Sequence, residues 1–149
     1  MAYRTLIDLN VVVDTLYKRE PFYEASSAVL AAAETGHIEG WLAAHSVTTL
    51  FYLMARNTFP AAARVHLTRL VQFLKIAAVD GRTIEQALAL PYKDFEDAVQ
   101  MMAGVHAGVE YVVTRDLSGF KAGPLPALTP PEFLAVSYTH LTLPTNREV

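Results

Sequence analysis

Apolar positions along this chain change period repeatedly, from the short apolar runs of strands to the three-to-four spacing of helices. Arg4 to Leu9 reads as a strand, and Asn10 to Lys18 shifts to helical spacing on Val12, Val13 and Leu16. From Pro21, the stretch FYEASSAVLAAAETG predicts an alanine-rich amphipathic helix that stops at Gly36. A second strand is expected over His37 to Ala43. His45 to Arg56 then reads as a helix with Ser46 or Thr48 available to cap it, and Asn57 to Pro60 breaks it. PAAARVHLTRLVQFLK predicts a further helix with Pro60 in its first turn, and Ile76 to Val79 a third strand. TIEQALAL is a short helix, KDFEDAVQMMAGVHAG a longer one with an acidic first turn, and EYVVT a fourth strand. Strands alternating with helices, without hairpin signals, need crossover connections and so a mostly parallel sheet covered on both faces.

Composition narrows the class. The 149 residues suit one domain, and 52% hydrophobic with 18% charged residues describes a globular chain. A formal charge of −3 gives no global field to draw the protein onto nucleic acid, so any RNA contact must be local. The lack of cysteine removes disulfides, thiolate metal sites and cysteine nucleophiles, and fits a reducing cytoplasm. MAYRTLIDLN has an aspartate where a secretory signal stays apolar, and no run reaches the roughly 18 residues of a membrane span.

The end of the chain differs from the rest. VSYTHLTLPTNREV follows Pro-Pro-Glu-Phe-Leu-Ala abruptly and is similar to a transposon-type sequencing adapter translated in one frame. The chain is therefore expected to comprise a folded unit over 1–135 and a non-native tail over 136–149.

Ligands of open α/β sheets gather just beyond the carboxyl ends of the strands. Asp8 ends the first strand, Asp116 follows the fourth, and Asp97 lies early in the helix that feeds it. Asp94 and Asp97, three apart, share a helix face near its positive end. Each has a structural reading as well: Asp8 and Asp116 as turn formers, Asp97 as a solvated first-turn acid, and Asp94 above all as an N-cap. Carboxylates brought together repel unless a cation neutralises them, and hard oxygen ligands select Mg²⁺ or Mn²⁺ over zinc.

This order of acids resembles the PIN domain, the fold of many toxin nucleases of bacterial toxin–antitoxin pairs. The resemblance rests on LIDLNVVVD at 6–14, DFEDAVQMMAG at 94–104, VVTRDLSGF at 112–120 and TPPEFL at 129–134. It implies a three-layer α/β/α sandwich with a mostly parallel four- to five-stranded sheet. It also implies a VapC-like, Mg²⁺- or Mn²⁺-dependent endoribonuclease in which Asp8, Asp97 and Asp116 are the metal-binding acids. Asn10 and Thr114 fall at its supporting polar positions. Asp14 is commonly acidic there too, but reads more simply as a surface helix residue. The sequence departs from the family at two places. Tyr52 in TLFYL stands where a helix glutamate is usual, and Gly119 stands where an acid precedes the final phenylalanine. Asp94 or Glu96 could supply a substitute carboxylate, and Tyr52 could hydrogen-bond a ligand or stack on a base.

Held metal would activate a water for in-line attack on an RNA phosphodiester, with Arg115, or equally Lys18, Arg19 or Arg56, against phosphate. The toxin branch implies a small antitoxin partner, and a homodimer is common in the family. The rival reading is a catalytically degenerate PIN-like module that binds RNA or protein. A dehalogenase-like phosphatase would need a second aspartate where Asn10 stands, and no glycine-rich phosphate loop, G-x-S-x-G elbow or H-E-x-x-H occurs. His37, His45, His66 and His106 lack ligand spacing, so zinc is not indicated.

Overall fold

The computed structural model describes residues 2–120 and 123–138. Its sheet has five strands in the order β3-β2-β1-β4-β5: β1 (Tyr3–Ile7), β2 (Ile38–Ala43), β3 (Lys75–Ala77), β4 (Tyr111–Val113) and β5 (Ala127–Leu128). Every neighbouring pair is parallel, with Leu6 opposite Trp41 on one side and Val112 on the other. The helices are α1 (Leu9–Leu16), α2 (Tyr23–Glu34), α3 (Ala44–Asn57), α4 (Pro60–Phe73), α5 (Gly81–Leu88), α6 (Phe95–Ala107) and α7 (130–138). They make this the α/β architecture with a parallel sheet that the residue pattern implies. A 3-10 turn, Leu117–Phe120, follows β4.

Because successive strand residues point to opposite faces, β1 feeds two cores. Ile7 packs with Val11, Val12, Val29, Leu42, Leu50 and Phe133, while Leu6 joins Ala77, Met101, Ala103, Val112 and Phe120 on the other face. Full burial of such aliphatic side chains stabilises the fold by about 1.5–3 kcal/mol each. At Gly40 an added Cβ would lie 2.6 Å from Leu74, so glycine permits this close approach of α4's end to β2.

Several boundaries differ from the sequence pattern. The fifth strand, two residues long, is too short to show a period. β3 starts at Lys75 and ends at Ala77, two residues before the expected limit. α3 begins at Ala44 with no side-chain cap: Ser46 is buried without a partner among the described residues, and Thr48 donates back to the His45 carbonyl, so neither is the cap expected of it. α5 starts earlier than TIEQALAL suggests because Asp80 and Thr83 form a reciprocal capping box. α6 ends at Gly108, whose φ of 75° closes it in the left-handed conformation. Residues 136–138 continue α7, and the remainder of the presumed tail lies outside the described residues. Among the described residues no helix is long and apolar enough to cross a membrane.

Candidate metal centre

The strand order puts β1 beside β4, which brings the ends of two acid-bearing segments together. Asp8 follows β1 and occupies the N-cap position of α1, yet its carboxylate caps no helix amide. Its backbone N–H continues the sheet to the Val113 carbonyl at 2.9 Å. Its side chain, 3% exposed, is thereby aimed across the sheet's end. Oδ2 accepts from Thr114 Oγ1 at 2.9 Å and Oδ1 from Gln100 Nε2 at 3.1 Å. Burial pushes the Asp8 pKa up, with the hydrogen bonds from Gln100 and Thr114 opposing it.

Asp97 enters from α6. Asp94 caps that helix, accepting from the Glu96 and Asp97 amides at 2.9 and 3.4 Å, so Asp94 is committed to holding the helix start. One turn on, Gln100 Nε2 lies 3.5 Å from Asp97 Oδ1, so one amide nitrogen touches both Asp97 and Asp8. Burial, followed by the charges of Asp8, Asp94, Asp116 and Glu96, pushes the Asp97 pKa up to about 7.

Asp116 is fixed from the β4 side. Its amide donates to Thr114 Oγ1 at 3.1 Å, and its carboxylate accepts from Ser118 Oγ at 2.6 Å. Thr114 thus links Asp8 to Asp116 through one hydroxyl. Gly119 separates Asp116 from Asp97: a Cβ there would stand 2.8 Å from Asp97 Oδ2 and 3.6 Å from Asp116 Oδ2. A cleft of about 480 Å³ opens here, lined by Tyr92, Lys93, Asp94, Asp97, Asp116 and Ser118. The Tyr92 hydroxyl donates to the Phe120 carbonyl at 3.1 Å and pins the 3-10 turn.

The donors suit a hard divalent cation. Asp8, Asp97 and Asp116 offer carboxylate oxygens, the missing Cβ of Gly119 leaves space between two of them, and Gln100 Oε1 is a buried acceptor without a hydrogen-bond partner among the described residues. Among the described residues no three of His, Cys, Asp and Glu are drawn closely enough to hold an ion as they stand. The Gln100 amide lies between Asp8 and Asp97, supplying the positive hydrogens that a cation would replace.

The other sequence candidates separate. Asn10 is half-buried in the first turn of α1. Tyr52, 68% exposed, shares a stripe of α3 with His45, Thr49 and Arg56, and His45 Nε2 lies 3.3 Å from the Glu96 carbonyl beside Asp97. Arg56 is exposed near the end of that helix. Asp14 corrects an expectation: it is fully buried, and Arg115 Nε approaches its Oδ2 at 2.9 Å. The reading of Asp14 as a surface residue fails because α1 is covered on that side by Arg115, which also stacks on Phe22 with 4.2 Å to the ring centroid. Arg115, considered above for phosphate, is thereby anchored on the α1 and α2 side. Gln100 was missed. Its only signal is a polar residue inside the apolar run AVQMMA, three after Asp97.

A family model described as PIN domain matches residues 4–118. Among solved structures, a toxin–antitoxin complex from Klebsiella pneumoniae superposes with a TM-score of 0.65 at 19% identity, over 85% of this chain and 97% of that one. FitAcB from Neisseria gonorrhoeae gives 0.65 at 20% identity, over 85% and 97%. The sarcin–ricin loop-cleaving toxin VapC20 of Mycobacterium tuberculosis gives 0.61 at 15%, over 78% and 95%. At these identities the likeness is one of fold. No curated protein matches the chain by sequence.

Proposed function

The chain belongs to the PIN domain family, and from that premise we propose that it is a Mg²⁺- or Mn²⁺-dependent endoribonuclease, the toxin of a toxin–antitoxin pair. The observation that carries this reading is the position of Asp97. It is joined to Asp8 through Gln100 and faces Asp116 across Gly119, with its pKa raised to about 7 by burial and by neighbouring acids. Such a group is poised to exchange its proton for a cation at neutral pH.

Asp8, Asp97 and Asp116 would hold the ion, with the Gln100 amide yielding its place between the first two. The cation, when bound, lowers the pKa of a water and offsets charge on the phosphate. Thr114 keeps Asp8 and the Asp116 backbone in register, and Asp94 fixes the helix turn that presents Asp97. Lys93 and Arg56 are cations within reach of an RNA strand entering the cleft or following α3, and exposed Tyr52 offers a ring for base stacking. The similar solved structures that are toxin–antitoxin complexes support an antitoxin as protein partner.

The second reading, a PIN-like module that binds RNA or protein without cutting, is favoured by one observation: Tyr52 and Gly119 leave two family carboxylate positions empty of acid. Titrating Mn²⁺ and Mg²⁺ against labelled tRNA and mRNA, beside an Asp97→Asn control, separates the two. Cutting that needs the cation and vanishes in the control upholds the nuclease. Cation binding without cutting assigns the module, and no cation binding removes both the metal and the mechanism.

A further inference from the structure

Arg115 leaves the chain one residue before Asp116 but on the side of α1 and α2, where it lines a second cavity of about 230 Å³ with Pro21, Phe22, Ser26, Pro130 and Pro131. The walls are a phenyl ring and proline rings, and the lining holds one charged side chain, Arg115. Its guanidinium lies 4.2 Å from the Phe22 ring centroid, with Nε 2.9 Å from Asp14 Oδ2. A guanidinium has five N–H donors in a planar fork, so the Asp14 contact leaves the Nη edge for another acceptor. The side chain is 27% exposed, which keeps that edge reachable. Ser26 is fully buried, its Oγ has no hydrogen-bond partner among the described residues, and it lines the same cavity. Asp14 also feels the charge of Arg19, so one carboxylate is shared by two cations and the Arg115 charge is not fully spent. Thr129, which also lines the cavity, gives its amide and hydroxyl to Glu132 at 2.9 and 3.0 Å, so neither is left for a ligand.

We propose that this cavity binds a carboxylate carried on a short apolar stem. The phenyl and proline walls cover the stem, and the Arg115 fork and the Ser26 hydroxyl take the oxygens. At about 230 Å³ the space falls below the roughly 300–1,000 Å³ of drug-sized sites and admits one small group. A bare phosphate would leave the apolar walls uncovered. The carboxylate comes either from a free small organic acid or from an acidic side chain of a bound protein, and the site stands whether or not the chain cuts RNA.

The test is an NMR titration of the full chain, following the Ser26 amide and Arg115 Nε. Its probes are 3-phenylpropionate, the uncharged 3-phenylpropanol, inorganic phosphate, and a glutamate residue blocked at both backbone ends. Saturable shifts are expected with the two carboxylates, at least tenfold weaker with the alcohol and with phosphate. The tighter of the two carboxylates names the source. Ser26→Ala, a buried change that leaves no unpaired group, is expected to weaken binding several-fold. Arg115→Lys, which keeps the charge beside Asp14, is expected to weaken it tenfold or more. Equal binding of the alcohol, equal binding of phosphate, no saturable shift, or no effect of either substitution on a folded protein overturns the proposal.

Discussion

Gln100 donates its side-chain amide to Asp8 across 92 residues of sequence, at 3.1 Å and with both side chains buried. That contact ties α6 to the end of β1, and the same nitrogen reaches Asp97. Replacing Gln100 with alanine strands Asp8 in a buried position with Thr114 as its remaining side-chain donor, at a cost of about 1–3 kcal/mol. The expected result is a lower melting temperature without metal, recovered in part by Mn²⁺, which substitutes its charge for the lost donor. Calorimetry with and without the cation checks both halves.

Asp97 makes stability depend on pH in a defined window. Its folded pKa of about 7 lies above the ordinary 3.8, so between those values the folded state holds a proton that the unfolded state has released. The contribution of Asp97 to the stability of the metal-free protein is therefore greatest below that window and falls as pH rises through it to about 7. Asp97→Asn is expected to flatten this fall and to melt higher than the parent above pH 7. If Asp97 ligates the cation as proposed, Mn²⁺ competes with the same proton, so its stabilisation of the parent should grow from pH 6 to pH 8 and be absent in the variant. A metal-free melting temperature that rises from pH 5 to pH 7 in the parent alone contradicts the raised pKa.

Asp14 and Arg115 test what burial of an ion pair means here. Asp14 is fully buried and its pKa is pushed up by that burial against the charges of Arg115 and Arg19. Removing Arg115 leaves a carboxylate with no compensating neighbour of comparable contact, a loss of about 3–5 kcal/mol. Arg115→Ala is therefore expected to destabilise more than Asp14→Asn, which removes the buried charge and leaves a neutral amide beside a guanidinium that still reaches water. Urea unfolding of the two variants gives the order directly.

The same pair shows where the sequence ceases to be legible. Periods of strand and helix are local, so the alternation of elements and the parallel sheet could be read from apolar spacing alone. The two-residue β5 could not, because pairing with β4 and not its own pattern makes it a strand. Asp8, Asp97 and Asp116 stood out because each falls at an element boundary and each is an acid. Gln100 carries no charge and sits in an apolar run, so only the fold reveals that its amide bridges two acids. Asp14 looked solvated because helical spacing says which face is polar but not that a neighbouring arginine will cover it.

Gly119 offers a paired experiment on the space between Asp97 and Asp116. An alanine Cβ there would lie 2.8 Å from Asp97 Oδ2, the far end of a flexible side chain, so the carboxylate can swing aside while the fold stays intact. Displaced from Asp116, Asp97 would no longer complete the proposed oxygen set, and Mn²⁺ affinity should fall severalfold with the melting temperature little changed. Gly119→Asp introduces the same Cβ and the same displacement but adds a carboxylate next to the pair. If hard-oxygen coordination governs the site, the aspartate variant must bind Mn²⁺ more tightly than the alanine variant at pH 8. Without cation it must also be the less stable of the two, because a further acid joins an already crowded set. Isothermal titration and metal-free melting separate these outcomes, and equal Mn²⁺ affinity in the two variants would place the cation away from Gly119.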